Sequence, residues 1–108
     1  MNFTREANID GTSFQGSVQI SYDKLVQAFG EPENVGEHSD KVRFEWDLTF
    51  ADGTVAAIYD WKQYGTPAGF IEEWNIGGKS HRAVELVLEH LRPDCQAPEF
   101  NEADPSLL

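Results

Sequence analysis

A chain of 108 residues with 40% hydrophobic and 12% aromatic side chains has room for one domain around one core. Nineteen acidic against eight basic residues leave a net charge of −11, which opposes direct binding to nucleic acid or to an anionic membrane and favours cationic protein partners. No apolar run approaches the roughly 18 to 20 residues that span a bilayer, the N-terminus lacks the basic-then-apolar layout of a signal peptide, and the single Cys95 forms no internal disulfide. A soluble, cytoplasmic protein is the expectation.

In chain order, residues 1–12 are polar and read as a loose N-terminal segment that could extend a sheet edge. A single domain is expected over residues 13–92. Phe14, Gly16, Val18 and Ile20 alternate with polar residues as a first strand, where Gly16 marks a bulge or a close approach. Ser21 then suits an N-cap, Tyr22, Leu25, Val26 and Phe29 share one helical face, and Gly30 and Pro32 end the helix. Residues 31–40 form an acidic loop.

The segment from Lys41 to Trp61 carries the clearest pattern, a β-hairpin. Val42, Phe44, Trp46, Leu48 and Phe50 alternate with Lys41, Arg43, Glu45, Asp47 and Thr49, and Ala51-Asp52-Gly53 supplies the turn. Val55, Ala57, Tyr59 and Trp61 are expected to resume the inward set, leaving Ala56, Ile58 and Ile71 on the outer face, where they could seal a homodimer. A loop over residues 62–69 leads to a last strand, Phe70 to Ile76, with Phe70, Trp74 and Ile76 inward and Glu72 at the sheet margin. Gly77-Gly78-Lys79 connects to Ser80 as N-cap of a second helix, His81 to Leu91, and residues 93–108 read as an acidic flexible tail. The fold class is α+β: a single antiparallel sheet of about four strands with two helices on one face, in the order β-α-β-β-β-α.

Two resemblances come with these segments. Phe29-Gly30-Glu31-Pro32, the strand around Trp46 and the turn Phe50-Ala51-Asp52-Gly53 resemble the helix, G-x-P, aromatic strand and D-G turn of BLIP-like and outer-membrane-assembly lipoprotein domains. A longer likeness, over Tyr22 to Pro32, Asp52 to Lys62 and Trp74 to Gly78, is similar to small acidic proteins of tailed bacteriophages. It implies a phage-encoded protein acting on the host, such as an inhibitor of a bacterial defence system of the anti-CRISPR kind, and brings no catalytic residues.

Three constellations are candidates for function. Gly77, Gly78, Lys79 and Ser80 at a helix N-terminus, with Arg82 and Tyr64 nearby, could hold a phosphate-bearing nucleotide signal, although Glu73 stands where a Walker A motif needs glycine. A tight strand-to-helix turn with a capping serine explains the same residues without a ligand. Tyr59, Asp60, Trp61, Lys62 and Tyr64 have the composition of a recognition surface, and a core role for Tyr59 and Trp61 is the preferred alternative. Glu45, Asp47, Asp60 and Glu73 are expected on the open face of the sheet, able to meet a basic groove on a host protein. No catalytic set, cofactor motif or metal-ligand spacing appears in the chain, so a non-enzymatic binding protein is the leading expectation.

Overall fold

The alternation of Phe44, Trp46, Leu48 and Phe50 does build the centre of the molecule. In a computed structural model, which describes residues 3–34, 41–63 and 65–91, Trp46, Leu48 and Phe50 are buried and Glu45, Asp47 and Thr49 point to the other side. The elements are β1 (Phe3–Thr4), β2 (Ser13–Gln19), α1 (Tyr22–Phe29), β3 (Glu33–Asn34), β4 (Phe44–Phe50), β5 (Val55–Tyr59), a 3-10 turn (Ala68–Phe70), β6 (Glu73–Gly78) and α2 (Arg82–Leu91). One antiparallel sheet runs β1-β4-β5-β6-β2, and β3 shares the outer edge of β4 with β1. This is the expected α+β architecture, with two short strands added to the four long ones.

Both helices cover the Trp46 face. Ser21 accepts a hydrogen bond from the Lys24 N–H at the start of α1, and Gly30, at φ +92°, ends it with its N–H donating to the Val26 carbonyl. Leu25 and Phe29 of α1 and Ala83, Val84, Val87 and Leu91 of α2 are buried against the sheet. The Trp46 and Trp74 rings meet edge to face at 5.3 Å, and each indole N–H is satisfied: Trp46 donates to the Gly30 carbonyl and Trp74 to that of Ile20. His90 of α2 stacks on Phe29 of α1 at 4.8 Å, which joins the two helices over the sheet. Each fully buried large side chain contributes roughly 1.5 to 3 kcal/mol, so this layer, rather than the intrinsic propensity of an eight-residue helix, holds α1 in place.

The second arm of the hairpin is turned over relative to expectation. Phe50 N–H donates to the Thr54 carbonyl, so three residues form the loop and Trp46 faces Ile58 while Leu48 faces Ala56. Ala56 and Ile58 are therefore core, and Val55, Ala57 and Tyr59 lie on the open face. Trp61 is 44% exposed. Ile71 is buried as well, so the outer face of Ala56, Ile58 and Ile71 proposed for a homodimer does not exist.

The last strand is also shifted. Phe70, 75% exposed, belongs to the 3-10 turn, and the strand extends through Gly77 and Gly78. A Cβ on Gly78 would overlap the Cβ of Ala83, so this glycine is required for α2 to lie on the strand. In β2 the register slips between Phe14 and Gly16, which turns Phe14 outward and lets Val84 approach Gly16. Within the N-terminal stretch read as loose, residues 3–12 are pinned at Phe3, which is buried beside Phe29 and paired with Phe50. The acidic tail of residues 93–108, His38 and Tyr64 lie outside the described residues.

Candidate functional site

The open face is built by the residues that alternate with the core. β4 contributes Glu45, Asp47 and Thr49, β5 contributes Val55, Ala57 and Tyr59, and β6 contributes Glu73, Asn75 and Gly77. Phe14 comes from β2 opposite Gly77, and Glu33 of β3 sits opposite Glu45. Because β1 and β2 lie at opposite edges of the sheet, the chain between them has to cross it, and it does so on this side. The Thr49 hydroxyl donates to the Glu6 carbonyl at 2.8 Å, and Ile9 and Thr12 share a cleft with Phe14, Glu45, Ala57 and Tyr59. The face is thus partly roofed, and the acids are less displayed than a bare sheet would leave them.

Beside this crossing segment lies a cleft of about 200 Å³ with aromatic walls and an acidic margin, lined by Phe14, Val42, Glu45, Ala57, Tyr59 and Trp61 among others. Tyr59 and Trp61 meet edge to face at 6.3 Å, and the Tyr59 ring lies beside Gly77 of β6. Lys62 takes φ +55° and its N–H donates to the Lys41 carbonyl, turning the chain out of the sheet just after Trp61. The ammonium groups of Lys41 and Lys62 sit 5.9 and 5.8 Å from the centre of the Trp61 ring system. Phe14, at 61% exposure, and Trp61 are the large apolar groups that this face presents to solvent.

Glu45 is electrostatically unusual. Burial, a side-chain hydrogen bond to Asp47 and the charges of Asp47 and Glu33 push its carboxyl up to about 8, so it keeps its proton at neutral pH. Burial also raises the Tyr59 hydroxyl, an effect opposed by a hydrogen bond from Asn75 and reinforced by Glu45. Asp47 is half-buried, and its Oδ1 has no hydrogen-bond partner among the described residues.

Of the four acids expected on display, Glu73 is exposed, Glu45 and Asp47 are half-buried, and Asp60 is not a surface group at all. Asp60 is 0% exposed; its Oδ1 accepts from the N–H groups of Arg43 and Phe44 at 2.8 and 3.0 Å, and its Oδ2 from Arg43 Nε at 3.4 Å. It clamps the start of β4 to the end of β5, and cannot meet a partner. Glu33, Phe14 and the outward Tyr59 and Trp61 were not assigned to this surface from sequence. Counting a three-residue loop would have found the last two, because such a loop pairs Phe50 with Thr54 and keeps even-numbered residues together.

The glycine-rich segment does not form the anion cradle that was the alternative to a turn and cap. Gly77 and Gly78 are inside β6, which has β5 on one side and β2 on the other, so their backbone groups belong to the sheet. Ser80 Oγ accepts from the Arg82 N–H at 3.3 Å, and Lys79 is exposed. Arg82 is held by Glu85 at 3.1 Å and Asp52 at 3.4 Å, which raise its pKa and offset its charge. It borders a hollow that also contains Asp52 and Glu89, a lining hostile to phosphate. No group of histidine, cysteine and acidic side chains suited to a metal ion occurs among the described residues, and no helix among them is long and apolar enough to cross a membrane. Comparison with protein-family models, with curated proteins and with solved structures gave no match.

Proposed function

We propose that this chain is a non-enzymatic binding protein that uses the open face of its sheet to occupy a basic site on another protein. The observation that carries the reading is the conjunction on that face of Glu33, Glu45, Asp47 and Glu73 with the outward aromatic groups Phe14, Tyr59 and Trp61. Aromatic groups with a polar margin are the usual anchors of a protein interface, and a net charge of −11 speeds encounter with a basic partner. The resemblance to small acidic bacteriophage proteins supplies the kind of partner: a bacterial protein whose basic groove holds nucleic acid, as in a defence complex. Occupation of that groove would block it.

The test is capture from a bacterial host extract by the immobilised protein, followed by identification of the bound species and measurement of its nucleic-acid binding. A stoichiometric basic protein is expected, released as salt rises toward 0.5 M, where screening acts within about 4–5 Å. Glu33→Lys with Glu73→Lys should abolish capture, whereas Lys79→Ala with Arg82→Ala should leave it intact. Equal capture by the charge-reversed protein would refute the reading.

A further inference from the structure

The cleft on the open face, about 200 Å³, has room for one long side chain and adjoins a second hollow lined by Phe14, Tyr59, Trp61 and Asn75. Its aromatic walls, Tyr59 and Trp61, meet a floor of Ala57, and Glu45 stands at the side. Accepting the reading of this face as a docking surface for a basic protein, we propose that the cleft takes a single arginine side chain of the partner, its guanidinium stacked on the aromatic wall and forked onto the Glu45 carboxylate.

Three observations select arginine. The Trp61 ring already holds two cations of the chain itself, Lys41 and Lys62, which an arriving guanidinium displaces. A planar, weakly hydrated guanidinium can lie flat on a ring while its edge engages a carboxylate; a compact ammonium keeps its water and does only one of the two. The acids are concentrated beside the cleft: Asp47 follows Glu45 on the same face of β4, and Glu33 faces it from β3. An anionic or purely apolar occupant would leave these carboxyls uncompensated.

Arrival of the guanidinium also releases a proton. The titratable groups facing Glu45 are Asp47 beside it, Glu33 across from it on β3 and Tyr59 across from it on β5; the crossing segment adds Ile9 and Thr12, which carry no charge. Lys41 and Lys62 lie over Trp61, the aromatic wall of the same cleft. Glu45 holds its proton at neutral pH because its nearest charged neighbours are acids, and a cation placed against it reverses that preference. Binding therefore strengthens with rising pH, by up to tenfold per unit below about pH 8, and levels off above it.

The experiment is an NMR titration of the ¹⁵N-labelled full chain with N-acetyl-arginine methylamide, to about 50 mM because a single side chain binds in the millimolar range, at pH values from 6 to 9. N-acetyl-lysine methylamide is the comparison. Saturable shifts of the Trp61 indole N–H and the Ala57 and Gly77 amides are expected, with tighter binding of the arginine probe and the stated dependence on pH. Glu45→Gln should bind the probe more weakly and with no pH dependence. Absence of saturable shifts, equal affinity for the lysine probe, or affinity independent of pH in the unaltered chain would overturn the proposal. If the probe fails while Glu33→Lys with Glu73→Lys still abolishes capture of a basic protein, the cleft is refuted and the broader acidic-face reading stands; if capture is also unaffected, both fall.

Discussion

Glu45→Gln should stabilise the protein at high pH and do nothing at low pH. A carboxyl held at about 8 in the folded chain and near its ordinary 4.5 in the unfolded one binds its proton more tightly when folded. Stability from this group is therefore full below about pH 4.5 and is lost as pH rises toward 8. Transmitted in full, that difference would be worth roughly 4–5 kcal/mol; Glu45 is only half-buried, and water screening reduces it to about 1–2 kcal/mol. Glutamine keeps the neutral hydrogen-bonding group and cannot ionise. Urea unfolding followed by tryptophan fluorescence suits the measurement, because Trp46 and Trp74 are fully buried and report the core. At pH 9 the variant should exceed the wild type by about 1–2 kcal/mol, and at pH 4 the two should agree within about 0.3 kcal/mol. Glu72→Gln, which removes an equal charge at an exposed position, controls for relief of overall repulsion and should change stability by less than about 0.5 kcal/mol at either pH. Parallel pH–stability curves for Glu45→Gln and wild type would refute the assignment of a displaced carboxyl to this face.

Other substitutions test the remaining structure. Gly78→Ala places a Cβ on that of Ala83 and should cost about 3 kcal/mol or more, or leave the chain insoluble; a midpoint within about 0.3 M urea of wild type would contradict the strand–helix contact. Asp60→Ala strips acceptors from two backbone N–H groups and from Arg43, and should cost about 2–4 kcal/mol, with Asp60→Asn milder because one oxygen remains. Arg82→Ala breaks only exposed pairs, so its urea midpoint should stay close to that of wild type, and isothermal titration should detect no difference in phosphate binding between the two.

The legible part of the fold was the part set by local periodicity. The β4 alternation about Trp46, the Ser21 cap, the Gly30 stop and the apolar stripe of α2 each need only neighbouring residues to be read. What failed was phase between elements. Tyr59 and Trp61 looked like core because they are large and aromatic, yet the hairpin loop length, not side-chain bulk, decides which way β5 faces. Small Ala56 goes inward, where α2 packs closely on the sheet, and the rings are left outside, so the aromatic half of the proposed docking surface was hidden by the same error that created a false dimer face. Asp60 was misplaced for a related reason: its partners are backbone N–H groups at the start of β4, which sequence composition does not reveal. The glycines of the GGKS segment resemble a turn in sequence and serve as strand, paired with β2 and β5, and Gly78 is needed because Ala83 of α2 packs against it.

Trp61 provides the most direct measurement of the central claim, because it is the one partly exposed tryptophan beside two that are fully buried. Acrylamide quenching of the free protein should resolve an accessible emission from Trp61, and the same titration on the complex with its captured basic partner should lose it. Retention of the full accessible fraction in a stoichiometric complex would place the partner elsewhere and contradict the role given to the open face.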